Sequence, residues 1–361
     1  MKIKTTLLLM MTGLSVPAAF GQDIHFSQFF DHNMVRNPAL TGIYSGDYKI
    51  AANYRNQWAT IGMPFQTFLA TAESRIGINE VNDCLSYGFA ASLDRAGSVG
   101  LTTIQLTPAL NYNKFLEDDH DSYLSVGFSG GYIQRSVQQD KMTFASQYVG
   151  GEYSASNPSN EHIPRNQVHN WDLSAGVSFN SFIGRAKKAT YYLGAAVYHI
   201  TNPRESFFTQ TALVNLKMKW SGQAGFSAFI TEQVLLTCHA NVNYQDPYRE
   251  IVAGGLLGWR PPDEAGQKKF FFIQGGCFYR VNDAVIPMVK VDYDAYSFTF
   301  SYDINASKLT TASNGVGGLE VSLIYKGMIK KRELKAKMRC PSQCPRLELL
   351  EHVKRDEGGV Y

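Results

Sequence analysis

Few residues in this 361-residue chain have types and spacings that could do chemistry. Cys340 and Cys344, in Arg-Cys-Pro-Ser-Gln-Cys-Pro, can close into a small disulfide loop in an oxidising compartment or remain two free thiols. As zinc ligands they would have only His352 for a third donor, and nothing nearby completes a tetrahedral set. His199 and His239, with serines near them, are the one arrangement from which a catalytic site assembled across distant segments could be drawn. Two histidines in a polar interior are the simpler expectation. Arg55 has Glu73 on the next segment as its expected carboxylate partner, an ion pair that would fix shape. No nucleophile elbow, His-Glu-x-x-His motif or phosphate-binding glycine loop is present, so neither enzyme activity nor a cofactor or metal is expected. Cys84, Cys238 and Cys277 suit small apolar positions.

The elements that position these residues begin with an export signal over residues 1–21. Lys2 and Lys4 precede the apolar Leu7–Leu14, and Ala19-Phe20-Gly21 offers a small-x-small cleavage site before Gln22. The apolar run is far short of the ~20 residues a spanning helix needs. The mature chain therefore starts near Gln22 outside the cytoplasm, away from nucleic acid.

Beyond Gln22 no run suits a transmembrane helix, and mean hydropathy is −0.20. Yet aromatic residues make up 13%, charged residues only 18%, and there are 31 glycines. A transmembrane barrel alternates lipid-facing and lumen-facing residues, so a hydropathy average conceals it. Period-two alternation recurs through the chain. Tyr48, Ile50, Ala52 and Tyr54 share one face, opposite Lys49, Ala51, Asn53 and Arg55. Leu124, Val126 and Phe128 lie opposite Ser125, Gly127 and Ser129, and Trp171, Leu173, Ala175 and Val177 repeat the pattern.

Such runs lie near 47–57, 65–76, 85–95, 101–113, 122–136, 169–181, 189–200, 212–221, 223–231, 233–245, 248–260, 269–281, 284–293, 295–304 and 318–326. With the two runs around Ser221-Gly222 merged, they make about fourteen strands: an all-β, antiparallel transmembrane barrel of the outer membrane over 47–326. A soluble sandwich also alternates, but this strand content is large for one, and faces rich in Gly, Ser and Ala suit a lumen. Tyr48, Tyr54, Trp58, Tyr112, Trp171, Tyr191, Tyr192, Tyr198, Trp220, Tyr244, Trp259, Tyr279, Tyr293 and Tyr325 fall near strand ends, as a girdle in contact with outer-membrane lipid requires.

With the amino terminus periplasmic, connections after odd-numbered strands are the outer, longer ones. Val137–His169, Thr201–Thr211 and Asn305–Gly317 obey this. The segment 22–46 then folds as a periplasmic or plug-like element. The tail 327–361 is periplasmic and basic: from Lys326 onward there are ten Lys or Arg against five Asp or Glu, while the whole chain is only +3. Leu347, Leu350 and Val353 have helical spacing, as in a solvated tail or a docking element for a periplasmic partner.

The wording of several segments adds what alternation cannot. His25-Phe26-Ser27-Gln28-Phe29-Phe30, Asn37-Pro38-Ala39-Leu40-Thr41-Gly42 and Asn53-Tyr54-Arg55-Asn56-Gln57-Trp58 resemble the PorP/SprF family of type IX secretion system outer-membrane proteins. Asp94-Arg95-Ala96-Gly97, Lys141-Met142-Thr143-Phe144, Asn202-Pro203 and Tyr302-Asp303 echo it further. The resemblance implies a non-catalytic role in export or surface anchoring of a substrate with a carboxy-terminal sorting domain, including large gliding adhesins. It also implies a link to a periplasmic, peptidoglycan-associated lipoprotein of the machinery. Candidate partner contacts are His25, Phe26, Phe29, Asn37, Pro38, Arg55, Trp58, Cys340 and Cys344. The competing classes are a passive porin and, further off, a barrel enzyme.

Overall fold

The computed structural model describes residues 23–58, 63–78, 83–116, 118–184, 187–207, 215–262, 270–307 and 315–328. The expected signal over 1–21, with Cys340, Cys344, His352 and nearly all of the tail, lies outside them. The strands are β1 (Tyr48–Gln57), β2 (Phe65–Gly77), β3 (Cys84–Ala96), β4 (Leu101–Phe115), β5 (Tyr123–Ser136), β6 (Tyr148–Val149), β7 (Glu152–Tyr153) and β8 (Gln167–Ile183). They continue with β9 (Ala189–Tyr198), β10 (Lys219–Phe229), β11 (Val234–Gln245), β12 (Tyr248–Trp259), β13 (Phe271–Arg280), β14 (Ala284–Tyr293), β15 (Tyr296–Asn305) and β16 (Val316–Gly327). All but β6 and β7 form one closed barrel of fourteen antiparallel strands, each paired with its neighbours in the chain. The short hairpin β6–β7 stands in the connection between β5 and β8.

Closure comes from β1 pairing with β16 through ten consecutive residues, Tyr48 opposite Gly327 through Gln57 opposite Gly318. This leaves no open sheet edge, which the apolar membrane interior demands. The two runs around Ser221-Gly222 merge into β10, and Gly222 sits inside it, opposite Val242. Alternation translates directly into two faces. Ile50, Phe68, Phe128, Leu173 and Leu257 are 53%, 44%, 60%, 54% and 54% exposed on the outside. Their neighbours Asn53, Ser125, Thr299 and Ser322 point inward and are buried.

The aromatic girdle holds for Trp171, Trp220, Tyr244, Trp259, Tyr279 and Tyr293, all exposed on the outer face. Tyr192 departs from it: adjacent to outward-facing residues, it points into the lumen and is buried, and its hydroxyl accepts a hydrogen bond from Arg36. Consecutive strand residues face opposite sides, so Tyr191 and Tyr192 cannot both meet lipid.

The barrel has one rim with long connections, 137–166, 199–218 and 306–315, and an opposite rim with short turns such as 230–233 and 294–295. The expected asymmetry has exceptions at both rims: 246–247 and 281–283 are tight turns on the side of the long connections, and 260–270 is long on the opposite side.

The segment before β1 does not lie beneath the barrel. It runs the length of the lumen. Asp23 is bonded to His199 and Lys219, at the ends of β9 and β10 that meet a long connection. Near the other rim Gly42 N donates to Glu73 Oε2 at 2.9 Å, and Asp47 N donates to the Gly327 carbonyl at 2.8 Å. The first described residue therefore sits at the rim opposite the one where β1 begins. Along this path lie two 3-10 turns, Phe29–Asp31 and Pro38–Leu40, and the helical turn Asn33–Arg36. None is long enough to be stable alone, so contacts with the wall must hold them.

Candidate functional site

The candidate site is the interface between this luminal segment and the barrel wall. The half nearer the rim with the long connections is built on charge. Arg55 Nη2 lies 2.7 Å from Asp303 Oδ2 and Arg55 Nη1 2.7 Å from Glu320 Oε2, with all three side chains buried. Arg280 Nη1 reaches the same Asp303 oxygen at 3.0 Å. Arg280 also reaches Asp283 Oδ2 at 2.8 Å and Glu250 Oε2 at 3.7 Å, so each guanidinium has carboxylate partners, the arrangement that makes buried charge tolerable. The luminal segment completes it. Ser27 N and Gln28 N donate to the two Glu320 oxygens at 2.7 and 3.0 Å, and Ser27 Oγ donates to Asp303 Oδ1 at 2.6 Å. Gln28 Nε2 donates to Ser301 Oγ and the Glu320 carbonyl, at 3.0 and 2.9 Å.

Arg55 was expected to pair with Glu73, and it does not. The β1–β2 register sets Glu73 opposite Lys49 and Arg55 opposite Thr67. Glu73 Oε1 is 3.0 Å from Lys49 Nζ. The partner of Arg55 comes instead from β16, where Glu320 is its cross-strand neighbour. Both are shape-fixing pairs inside the lumen, as the residue types imply.

Deeper in the lumen Asp31 pairs with Lys290 and accepts from Thr299 Oγ1 at 2.9 Å, while Lys49 Nζ donates to the Asp31 carbonyl at 2.9 Å. Apolar packing fills the gaps. Phe29 and Phe30 join Val252, Leu256, Phe278, Ile286 and Met288 in one buried cluster. Phe26 and Met34 join Leu69, Ala90 and Ala109 in another.

The Asn-Pro-Ala-Leu-Thr-Gly motif has a local physical cause. Asn37 caps the turn Pro38–Leu40, its Oδ1 accepting from Ala39 N at 2.8 Å, and proline's fixed φ suits the first turn position. The carbonyls that this turn leaves unpaired are met by the wall: Asn111 Nδ2 donates to Ala39 O and Thr41 O at 2.9 and 2.8 Å. Gly127 lets the Pro38 backbone approach so closely that any side-chain carbon there would overlap it.

At the long-loop rim His199 bridges two carboxylates, Nε2 to Asp23 Oδ2 and Nδ1 to Asp172 Oδ2, both at 2.8 Å. Lys219 Nζ also reaches Asp23, at 2.5 Å. Burial alone would lower the His199 imidazole, but the Asp23 and Asp172 carboxylates outweigh it and raise it to about 9. Burial likewise disfavours ionised Asp23, yet Lys219 and His199 hold its carboxyl well below the usual range. This is a charged latch on the first described residue.

Of the candidate contacts, Phe26, Phe29, Asn37, Pro38 and Arg55 are buried in the lumen and bind the chain to itself. His25 is half-buried, 4.0 Å from Glu250, and burial reinforced by Arg280 lowers it to about 4, so it is neutral. Trp58 follows β1, with its ring edge-on to Phe65 at 5.0 Å. His239 stacks on Phe30 at 4.9 Å and meets the Tyr192 hydroxyl at 3.0 Å. No group of three His, Cys, Asp or Glu able to hold a metal occurs among the described residues. Cys84 is not the simple apolar filler expected: it is disulfide-bonded, whereas Cys238 and Cys277 are free. Sequence reasoning missed Asp23, Asp31, Arg280, Lys290 and Glu320 as parts of the site. Their signal was a charge on the inward face of an alternating strand, or beside the aromatic motif before β1.

A closed fourteen-strand barrel with a lipid-suited outer face, filled by its own amino-terminal segment, defines a plugged outer-membrane protein. Residues 18–325 match the family described as type IX secretion system membrane protein PorP/SprF. The chain belongs to that family. No curated protein matches it. Among solved structures, a TodX monoaromatic hydrocarbon channel mutant is 8% identical, with 82% of this chain and 94% of that one covered and a TM-score of 0.48. The CymD monoaromatic hydrocarbon channel is 11% identical, covering 83% and 94%, with a TM-score of 0.45. A Pseudomonas aeruginosa FadL homologue is 10% identical, covering 80% and 92%, with a TM-score of 0.44.

Proposed function

We propose that this protein is a closed, non-catalytic outer-membrane component of the type IX secretion system, supporting export or surface anchoring of a substrate with a carboxy-terminal sorting domain, of the gliding-adhesin kind. Family membership supports the machinery. The observation that carries the closed state is burial: Ser125, Thr299, Ser301 and Glu320, all lumen-facing, have no exposed surface. A water-filled channel would leave such side chains wet. Two spaces beside the luminal segment measure about 120 and 60 Å³, each with room for a few waters.

In this reading the long-loop rim faces the cell exterior and the short-turn rim the periplasm, following the usual asymmetry of such barrels. The tail that follows β16 is then periplasmic, on the side of a peptidoglycan-associated lipoprotein partner. Asp23 is at the exterior rim, reached by a segment that has crossed the lumen.

Deleting the gene tests the role. The expected result is an exported substrate trapped inside or shed into the medium while other outer-membrane proteins stay normal; a change confined to small-solute uptake would instead favour a porin. Purification from native membranes should bring down the adhesin or the periplasmic lipoprotein.

A further inference from the structure

The two spaces beside the luminal segment lie on the same side of the lumen, one beyond the other along the barrel axis. The larger is toward the short-turn rim, against Lys49, Ser227, Thr237 and Lys326. The smaller is toward the opposite rim, against His25, Lys219, Ser221 and Asn241. On β11 the change from one to the other falls between His239 and Asn241, two strand residues or roughly 7 Å apart. Each space is bordered by buried polar atoms that have no hydrogen-bond partner among the described residues. They are both ring nitrogens of His32 and Nε2 of His25 at the smaller, and Asp292 Oδ1 at the larger. Water meets such groups, and both spaces have room for it.

A single cluster of side chains separates the two. Phe30 and His239 border the larger space, while Phe29 and Arg36 border the smaller, so the spaces meet opposite faces of one layer. Phe30 stacks on His239 at 4.9 Å and on Phe278 at 5.3 Å. The Arg36 guanidinium lies over the Phe29 ring at 4.8 Å, with Nε donating to Asn241 Oδ1 at 3.1 Å and Nη2 to the Ala240 carbonyl at 2.9 Å. Tyr192 fills the remaining gap. Its hydroxyl accepts from Arg36, which leaves its own proton for His239 Nδ1, 3.0 Å away. Gly225 makes room for this fit, since a side-chain carbon there would overlap the Tyr192 ring.

We infer that this layer is a gate: swinging Phe30 and Arg36 aside joins the two spaces into one narrow water path, which passes water and small ions while the plug stays in place. The proposal rests on the closed lumen argued above. The moving part is small. Arg36 ends the helical turn Asn33–Arg36, which is too short to hold its shape unaided, and Val35 beside it is exposed. On either side the segment is anchored separately, by Ser27 and Gln28 on Glu320 and by the Asn37 side chain on the Val177 and Ala195 carbonyls. Local opening of this turn therefore leaves both anchors intact. Lysines and aspartates both border the path, which suits small hydrated ions, and its width excludes a sugar.

The test is single-channel recording of the full chain in planar bilayers, with liposome swelling as a second readout. Phe30→Ala combined with Arg36→Ala should open steps roughly tenfold below those of a variant lacking residues 23–44, because a path a few waters across replaces a whole fourteen-strand lumen. Sucrose should remain excluded. Ile133→Ala, which removes buried bulk from β5, four strands away from β11, should stay closed. Arg36→Gln keeps Phe30 in place and so guards against failure of the first variant to fold; loss of the guanidinium bonds should give brief openings of the same small size. Either variant folded and closed, steps as large as those of the deletion, or equal conductance in Ile133→Ala would overturn the gate. Steady conductance in the wild type would instead overturn the closed lumen on which the gate rests.

Discussion

Replacing Glu320 with alanine attacks the luminal segment and the wall at once. Its carboxylate accepts from Ser27 N and Gln28 N on the segment and from Asn53 and Arg55 on β1. Each hydrogen bond to a charged group contributes about 1.5–3 kcal/mol, but four that share one acceptor do not add. The largest loss is at Arg55, left with Asp303 as its one carboxylate and with the Ser27 hydroxyl, and removing one partner of a buried ion pair costs about 3–5 kcal/mol. If half of the larger figure falls on docking of the segment, its local opening becomes roughly sixty times more frequent, at about 1.4 kcal/mol per tenfold. Hydrogen exchange at the Ser27 and Gln28 amides, in protein held in a nanodisc, reads that opening directly. Glu320→Ala should speed exchange there by one to two powers of ten while amides in β4 and β5 stay protected. The double variant Arg55→Met with Glu320→Met removes charge in balance, so it should recover global stability, yet still leave both amides without an acceptor. Unchanged exchange at Ser27 and Gln28 in a folded Glu320→Ala barrel would refute the role given to this carboxylate.

Three further outcomes follow from other contacts. Gly127→Val places a side chain where the Pro38 backbone lies, so it should displace the turn and expose residues 37–42 to protease while the barrel still resists heat in detergent on gels. The His199 latch sets a pH dependence: an imidazole raised from 6.5 to about 9 contributes stability that is fully present below pH ~6.5 and lost as pH rises through 9. Exchange at Ile24 to Ser27, corrected for intrinsic rate, should therefore rise between pH 7 and 9.5 in the wild type, and His199→Gln should show fast exchange with no such rise. Phe278→Ala removes the ring on which Phe29 and Phe30 pack. A loss of about 3–5 kcal/mol is expected in urea unfolding, and under 1 kcal/mol would mean that the segment does not pack there.

How much of this was legible in the sequence differs between wall and filling. The strands were, because each inward residue alternates with a lipid-facing one: Ser125 beside Leu124 and Val126, or Asn53 beside Ala52 and Tyr54. Even the doubtful break at Ser221-Gly222 lay in a run whose alternation continues through it. What alternation cannot carry is register and closure. Arg55 looked along the chain to Glu73, but antiparallel pairing gave Glu73 to Lys49, and Glu320 became Arg55's partner only because the last strand closes on the first. The same long-range closure hid Asp23, whose partners His199 and Lys219 are far along the chain. The path of the segment before β1 was legible only as a bend at Asn37-Pro38 and Gly42; its course through the lumen depends on small residues such as Gly127 and Gly176, whose lack of a side chain makes room for Pro38 and Asn37.

The closed lumen is tested most directly by single-channel conductance in a planar bilayer, comparing the wild type with a variant lacking residues 23–44. The wild type should show no steady conductance, and removing the segment should open steps of the size expected for an unobstructed fourteen-strand barrel. A wild type that conducts as an open pore, or a deletion variant that folds and inserts yet stays closed, would contradict it.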